Sequence, residues 1–469
     1  MTTAYDRVAY PTAVFAQTHP ERLAVLARLA GLDPVEPARA RILEIGGGNC
    51  MNLMSIATSW PECEAHGFDL SETAIARGSD IAARAGLANV SLAVEDICEA
   101  HKRYPARSFD YVIAHGVYAW VPDHVRAATM ELIGHALSDR GVAFVSYNCM
   151  PGGHVRLIMR EMLTNLIGHI EDPDEKIAAT RDFLEQFAKP LETDQLLTRT
   201  LREQATAMLE RADAVLFHDE LGECFYPQTL ADVAAAGKAV GLKFLTDAGR
   251  NRHLDGFIED EVLSDDPDEQ ALRSAILSDY TDMRYFRQTA FVRAEQQPDR
   301  QLNASRIAPL YLTTKMKRQE DGTFMLNKDT IEIPDEEMAQ ALARAAAGGL
   351  RRVPVSEIAT TPVQLRVILQ LYAEWYVNLH PAPTPFPDRP GEYPQTSPLI
   401  RSMLEGGDRM ICTLDHGLLK IDQSELRALL MAADGTRTMA ELEQAGHGIP
   451  PEEVRDALTA AASRALMRA

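Results

Sequence analysis

The sequence predicts a doubly wound α/β domain carrying further units, and three observations predict it. Short apolar runs alternate with helix-length patterns from Arg41 to Asn148, the first run ends in a glycine turn, and the second ends in Asp69. Parallel strands need crossovers of helix length, and right-handed crossovers put helices on both faces of the sheet. The runs are RILEIG, then MNLMSIATSW; EAHGFD, then SETAIARGSDIAARAG; VSLAV and a short connector; FDYVIAHG, then DHVRAATMELIGHALSD; and finally GVAFVSYN. Each apolar run reads as a strand and each longer amphipathic stretch as a helix.

Upstream, Thr18 and Glu21 have the spacing of a capping box, so ERLAVLARLAGL is predicted as a helix starting there and stopping at Gly31. From about Leu157 to Asp213, apolar residues recur three and four apart, as in amphipathic helices. FHDELGECFYPQTLADVAAAGKAVGLKFL reads as a loop, a helix and a strand, and DYTDMRYFRQTAFVR as a helix running into a strand. A hairpin is expected from LYLTTKMKRQ to FMLNKDTIEI around Asp321-Gly322. PVSEIATTPVQLRVILQLYAEWYVNLHP returns to helix, residues 381–398 are too rich in proline for helix or central strand, and short helices follow around Asp434-Gly435-Thr436. The expected division is therefore 1–153 for the α/β domain, 154–213 helical, 214–335 an α+β middle unit, and 336–469 a small winged-helix-like C-terminal domain with its proline-rich surface linker at 381–398.

A chain of 469 residues exceeds what one core usually serves, and its 46% hydrophobic and 25% charged content is that of a globular protein. The formal charge of −21 argues against nucleic acid as a partner. Six scattered cysteines without a Cys-x-x-Cys pair fit neither a zinc site nor a disulfide framework, so no metal is expected and a reducing cytoplasm is. His218-Asp219-Glu220 reads as a polar helix start, because three adjacent side chains cannot converge on one ion. The N-terminus lacks the pattern of a secretory signal, and no stretch is apolar enough to span a bilayer.

The chemistry is carried by the first strand and its turn, LEIGGGN, followed by Asp69 about 20 residues on, where a carboxylate meets a ribose. Met51 stands where a dinucleotide fingerprint needs its third glycine, which argues against NAD. S-adenosylmethionine has no phosphate and needs only a tight glycine turn and an acid for the ribose hydroxyls, so it fits better. Glu95-Asp96-Ile97 follow the third strand, where a carboxylate and a backbone amide can hold an adenine edge. His115-Gly116-Val117-Tyr118-Ala119-Trp120 ends the fourth strand and faces the same rim. Tyr118 and Trp120 are suited either to cage an amine or to anchor their loop, and Asn148 either to accept a hydrogen bond from an amine or to cap the next helix.

In order along the chain, YDRVAYPTAVFAQTHPERLAVLARLAGLDP, LEIGGGNCMNLMSIA, GFDLS, HGVYAWVP and YNCMPGG resemble the class I methyltransferases that carry a methyltransferase regulatory domain. FHDELGECFYPQTLADVAAAGKAVGLKFLTDA resembles the start of their middle domain, and LRALLMAADGTRTMAELE their C-terminal domain. The best-described members are bacterial outer-membrane-protein lysine methyltransferases. The resemblance implies a Rossmann-like sheet, S-adenosylmethionine as cofactor with S-adenosylhomocysteine as product, a homodimer, and a protein or peptide lysine as acceptor. The rival readings are a small-molecule methyltransferase and a non-catalytic sensor or assembly protein. The cofactor residues expected are Tyr10, Glu44, Gly46, Gly48, Asn52, Asp69, Leu70, Ser71, Glu95, Asp96, Ile97, His115, Gly116 and Val117; those expected at the acceptor are Tyr118, Trp120 and Asn148. Two departures stand out: Gly47 replaces the cysteine of the usual Gly-Cys-Gly turn and adds flexibility, and Gly153 replaces a tryptophan.

Overall fold

A computed structural model describes residues 13–191, 195–257 and 263–468, so Tyr10 lies outside the described residues. Seven strands form one sheet in the order β3-β2-β1-β4-β5-β7-β6. The strands β1 (Arg41–Ile45), β2 (Glu64–Asp69), β3 (Val90–Val94), β4 (Phe109–Ala114) and β5 (Leu137–Asn148) run parallel, as the βα alternation predicts. Helices α1 (Pro20–Leu29), α2 (Met51–Ser59), α3 (Glu72–Arg84) and α4 (Asp123–Ala136) cover its two faces.

The α/β domain does not end at residue 153. Strands β6 (Leu242–Asp247) and β7 (Phe286–Arg293), from the span expected to form a separate middle unit, complete the sheet. β7 runs antiparallel to β5 from Val142↔Val292 to Asn148↔Phe286 and covers an edge that would otherwise present unpaired backbone groups. Residue 286 thereby stands beside Asn148 at the carboxyl end of the sheet.

At the N-terminus His19, rather than Thr18, caps α1: its backbone is extended and its Nδ1 accepts from the Glu21 N–H at 3.3 Å. The Thr18 hydroxyl is used elsewhere, donating to the Phe15 carbonyl at 2.8 Å. Gly31, at φ +72°, follows the end of that helix as expected.

Helices α5 (Gly153–Ile167), α6 (Pro173–Phe187), α7 (Leu196–Leu209) and α8 (Asp213–Leu221) form a small bundle around Met159, Leu163, Leu184 and Met208. FHDEL, expected as loop, lies in α8, where buried Glu220 pairs with Arg156 at 2.8 Å and also with Arg211. Helices α9 (Leu230–Ala239) and α10 (Pro267–Thr281) flank β6 and β7 in the chain.

Farther on, Tyr311–Thr314 pairs with Val353–Pro354 and Val377–His380, so the expected hairpin is narrower and joins Lys317–Arg318 to Phe324–Leu326 around Gly322. Helix Pro362–Ala373 forms as predicted. The C-terminal unit combines helices Pro398–Glu405, Ser424–Ala432, Met439–Ala445 and Pro451–Ser463 with a hairpin of Met410–Cys412 and Leu418–Lys420. The proline-rich stretch is a pinned strap: Arg352 donates to the Ala382 carbonyl, the Gly435 N–H to the Pro394 carbonyl, and Gln395–Thr396 pairs with Met467–Arg468. Met51, Met54 and Ile81 of α2 and α3 share a core with Met403, Leu429 and Met467, which seats the C-terminal unit on the back of the glycine-turn helix. Among the described residues no helix is long and apolar enough to cross a membrane.

Candidate functional site

The site lies at the carboxyl ends of β1, β2, β4 and β5, where an open α/β sheet binds its ligands. Its first half is the turn after β1. Gly46 and Gly48 take φ +64° and +58°, which glycine adopts without the Cβ penalty, and a Cβ on Gly46 would lie 2.6 Å from Val117 Cγ2. A Cβ on Gly47 would lie 2.7 Å from Glu44 Oε2, so the third glycine keeps the backbone close to that acid.

Asp69 holds this turn together. One carboxylate oxygen accepts the Gly48 N–H at 2.8 Å and the other the Ser71 N–H at 2.9 Å, while the Ser71 hydroxyl caps α3. The neighbouring Leu70 is 61% exposed. After β3 the Glu95 N–H donates to the Asp69 carbonyl at 3.0 Å, and Asp96 accepts the Cys98 N–H at 2.9 Å. The side chain of Asp96 is exposed, and Ile97 packs at the edge of the core that lies under β4 and β5.

Glu44 is buried in this half. Its Oε1 accepts from Asn52 Nδ2 at 2.7 Å, whereas Oε2 has no hydrogen-bond partner among the described residues. Burial raises its pKa to about 7, only partly opposed by the Asn52 bond. An unpartnered carboxylate oxygen behind the glycine turn suits a ligand with a cationic end, so the residues present fit S-adenosylmethionine.

The second half is the rim beyond β4 and β5. Ser146 Oγ accepts the Gly116 N–H at 2.9 Å and lies 2.9 Å from His115 Nδ1. His115 is held among Phe15 (ring centroids 3.9 Å apart), Phe144 and Phe286, and burial lowers its pKa to about 4. Alternation along β5 puts Asn148 on the same face as Ser146. Asn148 is 5% exposed, and its side-chain amide has no hydrogen-bond partner among the described residues, although its carbonyl accepts the Gln228 N–H at 3.0 Å. It does not cap α5, whose N-cap is Gly152 without a side-chain bond.

Tyr118 and Trp120 stand apart from Asn148. The Tyr118 ring packs 6.1 Å from Tyr147, on the other face of β5, and burial pushes its hydroxyl up to about 12. Trp120 lies 4.9 Å from Phe225, with the Arg156 and Arg160 guanidiniums 5.1 and 5.7 Å from its ring. Arg156 is in turn fixed by Asp219 and Glu220. The turn Pro151-Gly152-Gly153 is zipped to Met283–Tyr285, and a Cβ on Gly152 would meet the Met283 carbonyl at 2.4 Å.

Sequence reasoning missed Phe15, Ser146, Phe225, Phe286 and His416, which reach the site from five separate segments. Phe15 and Phe225 carried a signal, standing within the first resembling stretch and the one that resembles the start of the middle domain.

Residues 38–213 match the family model of a methyltransferase domain, and residues 212–293 that of a predicted methyltransferase regulatory domain. An uncharacterized protein of Rickettsia prowazekii is 33% identical over 221 residues, which is 47% of this chain and 88% of that one. A second from the same organism is 31% identical over 223 residues, 47% of this chain and 39% of its own length. Among solved structures, PKMT2 from Rickettsia typhi superposes with a TM-score of 0.83 over 98% of this chain and 100% of that chain at 20% identity. The same protein in complex with AdoHcy gives 0.80, covering 98% and 99% at 19% identity. At such identity the likeness establishes the fold, the strands β6 and β7 included.

Proposed function

The chain belongs to the methyltransferases that carry a methyltransferase regulatory domain, and from that premise we propose that it is an S-adenosylmethionine-dependent N-methyltransferase acting on lysine side chains of a protein. S-adenosylmethionine, when bound, supplies a methyl group on a sulfonium. Asp69 would meet the ribose hydroxyls with the lone pairs left over from Gly48 and Ser71, and exposed Leu70 would lie beside the adenine. Glu95, Asp96 and Ile97 would hold the adenine edge, and Glu44 Oε2 would meet the cationic amino-acid end.

Methyl transfer is an in-line displacement that needs a positioned, neutral amine more than a strong base. The single observation that carries the acceptor assignment is Asn148, a nearly buried amide with no side-chain hydrogen-bond partner among the described residues, on the face of β5 that also carries Ser146. The Asn148 amide oxygen accepts a hydrogen bond from the amine and directs its lone pair at the methyl group. Tyr118 and Trp120 support the loop after β4, Tyr118 through its packing on Tyr147 and Trp120 through the Phe225 contact. The lysine reading rests on the resembling motifs and on the full-length likeness to PKMT2. The resemblance brings a homodimer into this reading, and the helical segment carries exposed Leu166, Leu196 and Leu197 that such an interface could cover.

The test is incubation with methyl-labelled S-adenosylmethionine and bacterial lysate, with and without prior removal of small molecules. Label in macromolecular material that hydrolyses to methyl-lysine in both samples is expected. Label confined to the small-molecule fraction would replace this reading with metabolite methylation, and cofactor binding without any transfer would replace it with a sensor.

A further inference from the structure

His416 belongs to the C-terminal unit, 364 residues from Asn52, yet it reaches the glycine-turn helix. The Phe15 backbone N–H donates to Asn52 Oδ1 at 2.9 Å, which fixes the orientation of the amide, because a backbone N–H can only donate. Asn52 Nδ2 therefore faces Glu44 Oε1 at 2.7 Å and Thr18 Oγ1 at 3.0 Å. His416 Nε2 lies 3.0 Å from the same Oδ1 and must carry a hydrogen, so Nδ1, 2.9 Å from Ser55 Oγ, accepts from that hydroxyl. One neutral ring thus grips α2 at both Asn52 and Ser55.

His416 is 5% exposed and sits at φ +59°, in a turn closed by the Thr413 N–H on the Gly417 carbonyl and the Gly417 N–H on the Thr413 hydroxyl. A left-handed conformation is unfavourable at a non-glycine residue, and glycine would occupy this position without that penalty.

We propose that His416 is a positioning residue for the cofactor site: by orienting Asn52 it holds Glu44 and the first turn of α2, so the C-terminal unit completes the cofactor cradle. This rests on the methyltransferase reading given above. Removing the imidazole leaves Asn52 Oδ1 with the Phe15 N–H as its main donor and frees the Ser55 hydroxyl, so the first turn of α2 and the amide that holds Glu44 are less tightly anchored.

The experiment uses the full chain with His416→Gly, which suits the backbone, His416→Phe, which keeps the ring volume, and His416→Gln, whose amide N–H reaches the place of Nε2. Titration calorimetry with S-adenosylhomocysteine should show about tenfold weaker binding for Gly and Phe and recovery to within about threefold for Gln. Asn52→Leu should weaken binding alone, and His416→Phe added to it should cost nothing further, the signature of one chain of contacts. Hydrogen exchange of residues 48–55 in the cofactor-free chain should quicken in the Gly and Phe variants and recover in Gln. Unchanged affinity and exchange in both Gly and Phe, or losses that add in the double variant, would overturn the proposal. A parent chain that binds no S-adenosylhomocysteine would remove the methyltransferase reading, while the exchange comparison would still decide whether His416 orders α2.

Discussion

The two halves of the site are built differently. The cofactor half is built mainly from contacts within a few tens of residues, with Asp69 tying Gly48 to Ser71 and Glu44 under Gly47, and His416 is the long-range contact that reaches it through Asn52. The acceptor half is assembled from distant chain segments, with Gln228 bonded to Asn148, Tyr226 to Ala119, and Tyr285 to Cys149. A ligand shared by many enzymes can be met by one rigid loop, whereas acceptor choice is tuned by parts that diverge independently. Substitutions in the first half should act on affinity and those in the second on turnover.

The largest effect is expected at Asp69. Asp69→Ala removes the ribose acceptor together with two charge-assisted bonds to the backbone, each worth about 1.5–3 kcal/mol, so cofactor affinity should fall at least ~100-fold. Because those bonds also order the glycine turn, the melting temperature should fall as well. Calorimetry showing parental affinity would break the comparison at its root.

Asn148→Ala should lower kcat by about 10- to 100-fold and move cofactor affinity less than about threefold, since the lost contact is to the reacting group. If affinity falls as far as turnover, the two halves are not separable.

Glu44 sharpens the contrast through pH. Its pKa of about 7 in the folded chain lies above the ordinary carboxylate value, so the folded state binds a proton more tightly than the unfolded one. Its stabilising contribution is full below about pH 4.5 and lost as pH rises through 7. A cationic ligand favours the ionised form, so affinity for S-adenosylmethionine should drop up to about tenfold between pH 8 and 6. Glu44→Gln should abolish that slope and raise the melting temperature at pH 8 by a few degrees, on the order of 4 °C. His19 opposes it: burial lowers its pKa to about 4, and its contribution is lost as pH falls from about 6.5 toward 4.

The smallest effect is expected at the Tyr118 hydroxyl, which makes no hydrogen bond among the described residues. Tyr118→Phe should leave the melting temperature within about 1 °C, whereas Tyr118→Ala should cost about 3–5 kcal/mol as a cavity opens against Tyr147. A loss of turnover in the Phe variant at parental stability would return the hydroxyl to the reacting amine.

The local elements of the cofactor half are legible in the amino-acid sequence alone. Strand periodicity, the glycines of residues 46–48, and an acid one strand later are near neighbours in the chain, and their geometry follows from backbone sterics and hydrogen-bond spacing. A domain boundary at 153 is misplaced because the edge of β5 is satisfied by β7, whose first residue lies 138 positions after Asn148 in the register. Thr18 has the right spacing to Glu21 for a cap, but Asn52 and the Phe15 carbonyl hold its side chain.

What the sequence by itself determined, then, is the order of strands and helices and the turn that approaches the cofactor, since both are decided within a few tens of residues. What only the tertiary structure decided is which face each rim residue takes, that Tyr118 and Asn148 part across β5, and that His416 meets Asn52. Those outcomes depend on packing between segments hundreds of residues apart, where each buried polar group takes whichever partner the completed core brings within about 3 Å.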